Sequence, residues 1–507
     1  MIALLLGIFA RAYGSVSDDY FYTADIAADS GFILGGGTWS WGFGQYDIFV
    51  VKTDPYGVGV WAAVYGGTGA DEAEAIVTTA DEGYAIAGLT SSYGSGSADM
   101  LILKLTSAGA ISWARVLGGI GTDEAYGIAQ LSDGGYVATG RTWVSGEGYN
   151  LLVFKLNPDG TWSWGRSFGG TVDDYGYWVA PTADGGAVVT GGTRSYGAGQ
   201  DDAVVLLFNS SGIRNWFRVI GGTGVDFGQA VIQTSDNGFL VVGRTNTWGA
   251  GGYDFLIIRL DNLGNLLWAR AIGGTADDYA YSAVQTSDGG FVVVGETWSF
   301  GQGMNEALAI KLDAGGTLLW AMIFGGSESD YARAIMETGD GGLALAGATS
   351  SFGLASGLYT FLMRMSSDGE YPGCVAGCSP IVSNISPSSL SPTSYAIATP
   401  TNSSPSVNFS SVEPNQSDLC EPVGEDEGQD IINPVICHAV PGGLIFTASA
   451  QTHLLIYAVD GRLVYSGELK QGQNRISLET GVYFWSADAV GASPWACHLY
   501  KGKAVVR

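Results

Sequence analysis

Residues 66–117 read GGTGADEAEAIVTTADEGYAIAGLTSSYGSGSADMLILKLTSAGAISWARVL. Four apolar or alternating runs lie inside this stretch: Ala73–Thr79, Tyr84–Thr90, Asp99–Leu105 and Ile111–Leu117. They are separated by Asp81-Glu82-Gly83, by the loop from Gly94 to Ala98, and by Ser107-Ala108-Gly109. Runs rich in Val, Ile, Leu and aromatic residues, bounded by Gly and Asp, predict short antiparallel strands. Four such strands in about 50 residues make one propeller blade.

The unit recurs along the chain. Gly-Gly pairs begin at Gly66, Gly118, Gly169, Gly221, Gly273 and Gly325, and one further step back reaches Gly14-Ser15. Seven units therefore fill residues 14–376, and the predicted fold is all-β, a seven-bladed β-propeller with four strands per blade over residues 1–376. Counting from the first glycine of each pair, position five is always aspartate: Asp19, Asp71, Asp123, Asp174, Asp226, Asp278 and Asp330. A second aspartate at position fifteen runs from Asp29 to Asp340, always two residues before a glycine. Position 22 is glycine (Gly36 through Gly347) and position 24 threonine (Thr38 through Thr349). Tryptophan stands five residues before each pair at Trp61, Trp113, Trp164, Trp216, Trp268 and Trp320.

The N-terminus decides how the ring closes. Ile8–Gly14 aligns with Leu267–Gly273, and Phe9 falls where the other units carry tryptophan. Met1–Ala10 lacks the basic start of a signal peptide. It is therefore expected to supply the outer strand of the last blade near residue 365, removing the sheet edges. A leader preceding this start is the accompanying expectation for an exported chain.

Forty-nine acids against 22 bases give a net charge of −27, which excludes a nucleic-acid partner because phosphate binding needs a basic face. No apolar run is long enough to span a bilayer as a helix. The 79 glycines argue against a helical bundle. All histidines (His438, His453, His498) and all cysteines (Cys374, Cys378, Cys420, Cys437, Cys497) lie beyond residue 370, so the repeats lack the usual nucleophile, base and soft metal ligands. No catalytic residue, no metal and no cofactor is expected, calcium on the Asp19–Asp330 ring being the alternative.

Between Ser379 and Asp418, 26 residues are Ser, Thr, Pro or Asn. That composition predicts an extended linker or stalk over 377–430. A disulfide pin is the expected use of its cysteines, with the pairing open. Residues 431–507 alternate as strands, with a hairpin turn at Asp460-Gly461, and predict a small β-sandwich.

Asn433-Pro434, Leu455-Ile456-Tyr457, Asp460–Tyr465, Gly481–Phe484 and Lys503–Arg507 together resemble the C-terminal sorting domain of type IX secretion cargo. The resemblance implies a secretion-machinery partner, passage through the outer membrane, and an extracellular or surface location. The repeats resemble bacterial surface β-propeller repeats.

Position five, identical in every blade, reads as a builder of the fold, because a binding site breaks symmetry. The loop between the second and third strands carries Trp41, Tyr93, Tyr196, Trp248, Phe300 and Phe352, each followed by glycine. These rings either pack beneath their own loops or form a sugar-binding surface, since ring faces stack on sugars. Arg141, Arg194 and Arg244 on neighbouring blades hint at an arginine cluster, but no asymmetric pair of acids sits in a distinctive motif. The resulting expectation is a non-enzymatic binding or adhesion protein with a glycan or protein ligand. A carboxylate-based polysaccharide hydrolase or lyase and a structural surface-layer component are its competitors.

Overall fold

A computed structural model describes residues 9–369 apart from 16, 302 and 353–357, and beyond them the backbone of strands from Val375–Gly377 to Leu499–Val506. Its first unit is a seven-bladed propeller with four antiparallel strands per blade. The first blade runs Asp19–Ile26, Phe32–Thr38, Asp47–Thr53 and Gly59–Gly66 from the inside outward. The inner strands of the next six are Asp71–Thr78, Asp123–Gln130, Asp174–Pro181, Asp226–Gln233, Asp278–Gln285 and Asp330–Glu337. Second and third strands are buried almost throughout, as the continuous apolar runs require of strands packed on both faces. No helix among the described residues is long and apolar enough to cross a membrane.

The seventh blade takes its outer strand from the chain start. Phe9–Gly14 pairs antiparallel with Tyr359–Met365, from Phe9 opposite Arg364 to Tyr13 opposite Thr360. Phe9 lies over Gly57 of the first blade just as Trp61 lies over Gly109 of the third-to-fourth strand turn in the second. The indoles of Trp61, Trp113, Trp216 and Trp268 also donate to the next blade, Trp61 to Ser107 O and Trp268 to Ala314 O each at 3.2 Å. The repeated aromatic is therefore a clasp between blades.

The Ser/Thr/Pro/Asn-rich segment is extended, and its strands pair antiparallel with the outer strands of blades six, five, four, two, one and seven in that order. Ile381, Ser388, Thr401, Asn408 and Asn415 stand opposite Gly273, Gly221, Gly118, Gly66 and Gly14. An outer strand presents unpaired N–H and C=O groups that any extended chain can satisfy. Up to Leu419 this segment belongs with the propeller.

The second unit contains two antiparallel sheets, one built from Val435–Val440, Gly443–Ala448 and Gly472–Ser477, the other from Thr452–Ala458, Leu463–Leu469, Gly481–Ala489 and Leu499–Val506. Cys374, Cys378, Cys420, Cys497, Asn433-Pro434 and Asp460-Gly461 lie outside the described residues, as do Met1–Ile8.

Candidate functional site: the central channel and its mouth

Each inner strand is interrupted at the same place. Pairing with the second strand passes from Phe21 to Thr23, from Ala73 to Ala75, and likewise in all seven blades, so position eight is always a bulged residue. A bulge bends the strand and re-aims one side chain. The bend carries the inner backbone over the glycine at position 22. A Cβ there would lie 1.9 Å from Tyr20 O in Gly36 and 1.8 Å from Glu124 O in Gly140, so no other residue fits.

The bulged residues are Tyr22, Glu74, Tyr126, Tyr177, Gln229, Tyr281 and Arg333, all half-buried. Because the inner strands adjoin one another around a closed ring, these side chains converge on its axis. Arg333 of the seventh blade stands over Tyr281 at 3.7 Å, Tyr331 at 4.9 Å and Tyr22 at 5.7 Å. Glu74 senses Glu72 of its own blade, Arg333 of the seventh blade, two blades back around the ring, and Glu124 and Arg141 of the third. Burial among these groups pushes the Glu74 carboxyl up to about 8, the negative charge of Glu72 adding to it and Arg333 opposing. Tyr281 donates to Glu296 Oε1 at 2.5 Å, and Asn305 donates to Glu296 Oε2 at 2.8 Å. Position eight varies from blade to blade, as positions six and 25 also do. The variation among constant columns was its signal in the sequence, but without the bulge nothing showed that the column faces the axis.

Two aromatic ladders lead outward from the channel. On the first blade, half-exposed Trp39 meets Tyr46 at 4.6 Å, Tyr46 meets Tyr20 at 5.5 Å, and Tyr20 meets Tyr22 at 4.7 Å. The other starts at exposed Trp143, passes Tyr149 at 5.1 Å and Tyr175 at 6.3 Å, and reaches Tyr177 at 6.1 Å. Trp298 is a third exposed indole at the same repeat position. In the sequence these tryptophans are harder to single out than the rings two residues further on, because their column holds Ser, Arg and Asn in the other blades.

Those rings are half-buried and point the other way. Trp41 packs on Phe49 at 5.4 Å, Tyr196 on Phe217 at 6.0 Å and Phe352 on Phe324 at 5.4 Å. Tyr93 donates to Gly66 O at 2.8 Å, Trp248 joins the core between blades four and five, and Phe300 covers Gly274. Their positions alternate with the exposed indoles about the turn that follows Thr38 and its equivalents.

The position-five aspartates are buried and hold the blade-to-blade connection. Asp19 accepts from Ser15 N at 2.8 Å, Thr38 Oγ1 at 2.5 Å and Ser40 Oγ at 2.8 Å. Asp71 accepts from Gly67 N and Ser92 Oγ, and Asp123, Asp174, Asp226, Asp278 and Asp330 each accept from the equivalent backbone N–H. Among the described residues no group of three or more acidic, histidine or cysteine side chains is placed to hold a metal ion.

A second set of buried acids lies outside the position-five column. Asp47, Asp99, Asp202 and Asp254 open the third strands, buried, and each faces the position-five aspartate of the next blade. A Cβ on Gly66 would meet Asp47 Oδ1 at 2.0 Å and Asp71 Oδ2 at 2.8 Å, which explains the first glycine of the pair. Burial pushes Asp47 and Asp254 up to about 6, with loop N–H groups opposing and the facing aspartate reinforcing. The folded chain therefore holds these protons more tightly than the unfolded one. The stability they contribute is complete below about pH 4 and is lost as pH rises through about 6. The Tm is expected to be higher near pH 5 than near pH 7.5, and Asp254→Asn is expected to flatten that slope. A Tm that rises with pH over this window overturns the assignment. The hairpin acids Asp236 and Asp288, held down near 2 by Thr234 and Thr286 hydroxyls and by Arg259 and Lys311, titrate outside it.

No family model matches this chain, and no curated protein does. A crystal structure of a eukaryotic initiation factor aligns over 94% of this chain and 98% of its own, at 10% identity and a TM-score of 0.30. Xylan beta-1,4-xylosidase from Bacillus halodurans C-125 aligns over 74% and 87%, at 8% identity and a TM-score of 0.19. At those values neither likeness carries a functional reading.

Proposed function

We propose that this protein is an exported, non-enzymatic binding protein that takes a surface glycan on the propeller face where the channel opens, with residues 431–507 addressing it to a secretion machinery. The observation that carries the glycan reading is the pair of aromatic ladders, each running from an exposed tryptophan to a tyrosine on the axis. Indole and phenol faces stack on the apolar faces of sugar rings, while their polar edges and the flanking acids and arginines bond hydroxyls. Trp39, Trp143 and Trp298 are the residues expected to bear the ligand.

A glycan array probed with the full chain tests this. Binding is expected, and Trp39→Ala or Trp143→Ala is expected to weaken it about tenfold or more. Trp41→Ala and Trp248→Ala are expected to lower the Tm while leaving affinity in the surviving folded fraction unchanged. Absence of any glycan signal, with capture of a surface protein in its place, replaces this reading by a protein ligand.

Hydrolysis is a second reading, favoured by Glu74 alone. A carboxyl held protonated near neutral pH beside other carboxylates is the pairing that acid catalysis of glycoside cleavage uses. Reducing ends released by the native chain and not by Glu74→Gln would put an enzyme in place of a binder.

A further inference from the structure

Arg244 of the fifth blade makes no ion pair among the described residues, a condition it shares with Arg333 at the axis and with Arg115 and Arg270, whose guanidinium groups donate to backbone carbonyls instead. The Arg244 guanidinium stands 4.7 Å from the Phe227 ring, 5.4 Å from Tyr279 and 5.6 Å from Tyr253, and its Nε is buried without a hydrogen-bond partner. The acids that share these tyrosines are already engaged. Asp277 accepts from Tyr253 N and from Tyr279 Oη, both at 2.9 Å, and Glu296 accepts from Tyr281 and Asn305.

Around Tyr177 on the adjoining blade, Arg244 is joined by Arg141 and Arg194, all three close enough to act on its phenol. Arg141 is committed to Glu124 at 2.5 Å. The half-exposed Arg194 bridges Asp201 at 2.8 Å and Asp173 at 3.6 Å. Three arginines therefore gather on blades three to five beside the Trp143 ladder, interleaved with Glu124, Asp173, Asp201 and Asp277. They lie at the mouth of an acidic protein, and the one on the fifth blade, Arg244, makes no ion pair.

We propose that Arg244 is the carboxylate-binding residue of the mouth, and that the glycan bound there is acidic, carrying a uronate-type carboxyl on a ring that stacks against Tyr253 and Tyr279. The inference rests on the glycan reading and narrows its ligand class. Guanidinium suits the role because its planar donors meet the two oxygens of a carboxylate together. The three rings hold it in place and keep it partly dry, which strengthens a charge-assisted bond. Leaving such a cation unpaired beside aromatic faces costs desolvation that an incoming carboxylate offsets.

The test is calorimetric titration of the full chain with a short oligogalacturonate and with its methyl ester, which keeps the rings and removes the charge. The acid is expected to bind about tenfold or more tightly than the ester, matching the worth of one bond to a charged group. Arg244→Gln is expected to abolish the preference for the acid over the ester. Arg244→Lys, which keeps the charge but not the fork, is expected to fall between. Equal affinity for acid and ester in the native chain overturns this inference and leaves glycan binding standing. Binding of neither removes both. The native-chain comparison needs no variant, so a poorly folding Arg244→Gln does not blunt it.

Discussion

Deletion of Met1–Tyr13 is expected to abolish cooperative melting of the propeller. The removed strand supplies Phe9, Ala10, Ala12 and Tyr13 to the core, all nearly fully buried. It also satisfies the edge of Tyr359–Met365 through five consecutive pairings. Tyr13 Oη donates to Gly57 O in the first blade, and Phe9 covers the same glycine, so the join between the last and first blades goes with it. Truncating one buried aromatic costs about 3–5 kcal/mol. Two aromatics plus the ladder bonds amount to something on the order of 10 kcal/mol. That is comparable to the whole stability of a typical domain. Thermal scans should show a Tm lowered by at least about 15 °C, or an insoluble chain. Phe9→Ala alone is expected to cost about 3–5 kcal/mol with the ring still closed. A deletion variant that melts like the native chain would mean that the seventh blade stands on three strands.

Gly243→Ala is the second large effect. The added methyl would lie 1.9 Å from Phe227 O, a backbone atom that no rotamer change can move. Accommodating it requires the inner strand to lift away, which undoes the bulge that aims Gln229 at the axis. A loss of about 3 kcal/mol or more is expected. Gly339→Ala is the matched control. A methyl there has nothing within 4 Å, and its effect is expected to stay within about 0.5 kcal/mol of zero. Similar denaturation midpoints for the two variants would show that the inner strand is not pinned as described. Near-ultraviolet circular dichroism adds a local readout, because the tyrosines of the axis should lose their fixed environment in the Gly243 variant first.

The blades were legible because their chemistry is local. In the second unit the runs predicted as Tyr84–Thr90 and Asp99–Leu105 are strands with those same bounds, and the first run begins two residues earlier, at Asp71. Closure was legible too, since Phe9 stands in register with six tryptophans and takes the same place over a glycine of the next blade. The rim strands were not. Ser388–Leu390 and Thr401–Ser403 pair through backbone groups, which leave no alternation in the side chains to read. The two loop aromatics were hard to separate, for Trp39 and Trp41 lie two residues apart in a turn where no strand period assigns a face.

What the sequence determined by itself is the unit, its count and its closing strand. Each depends on periodic burial and on turn residues whose physics acts within a few positions of themselves. What only the tertiary structure decided is the site. Glu74, Arg333 and Tyr22 are separated in the chain by tens to hundreds of residues, and they meet because a bulge repeated seven times turns one column of side chains toward a common axis. Convergence of that kind belongs to the closed ring, where symmetry brings equivalent positions together and differences among them become a surface.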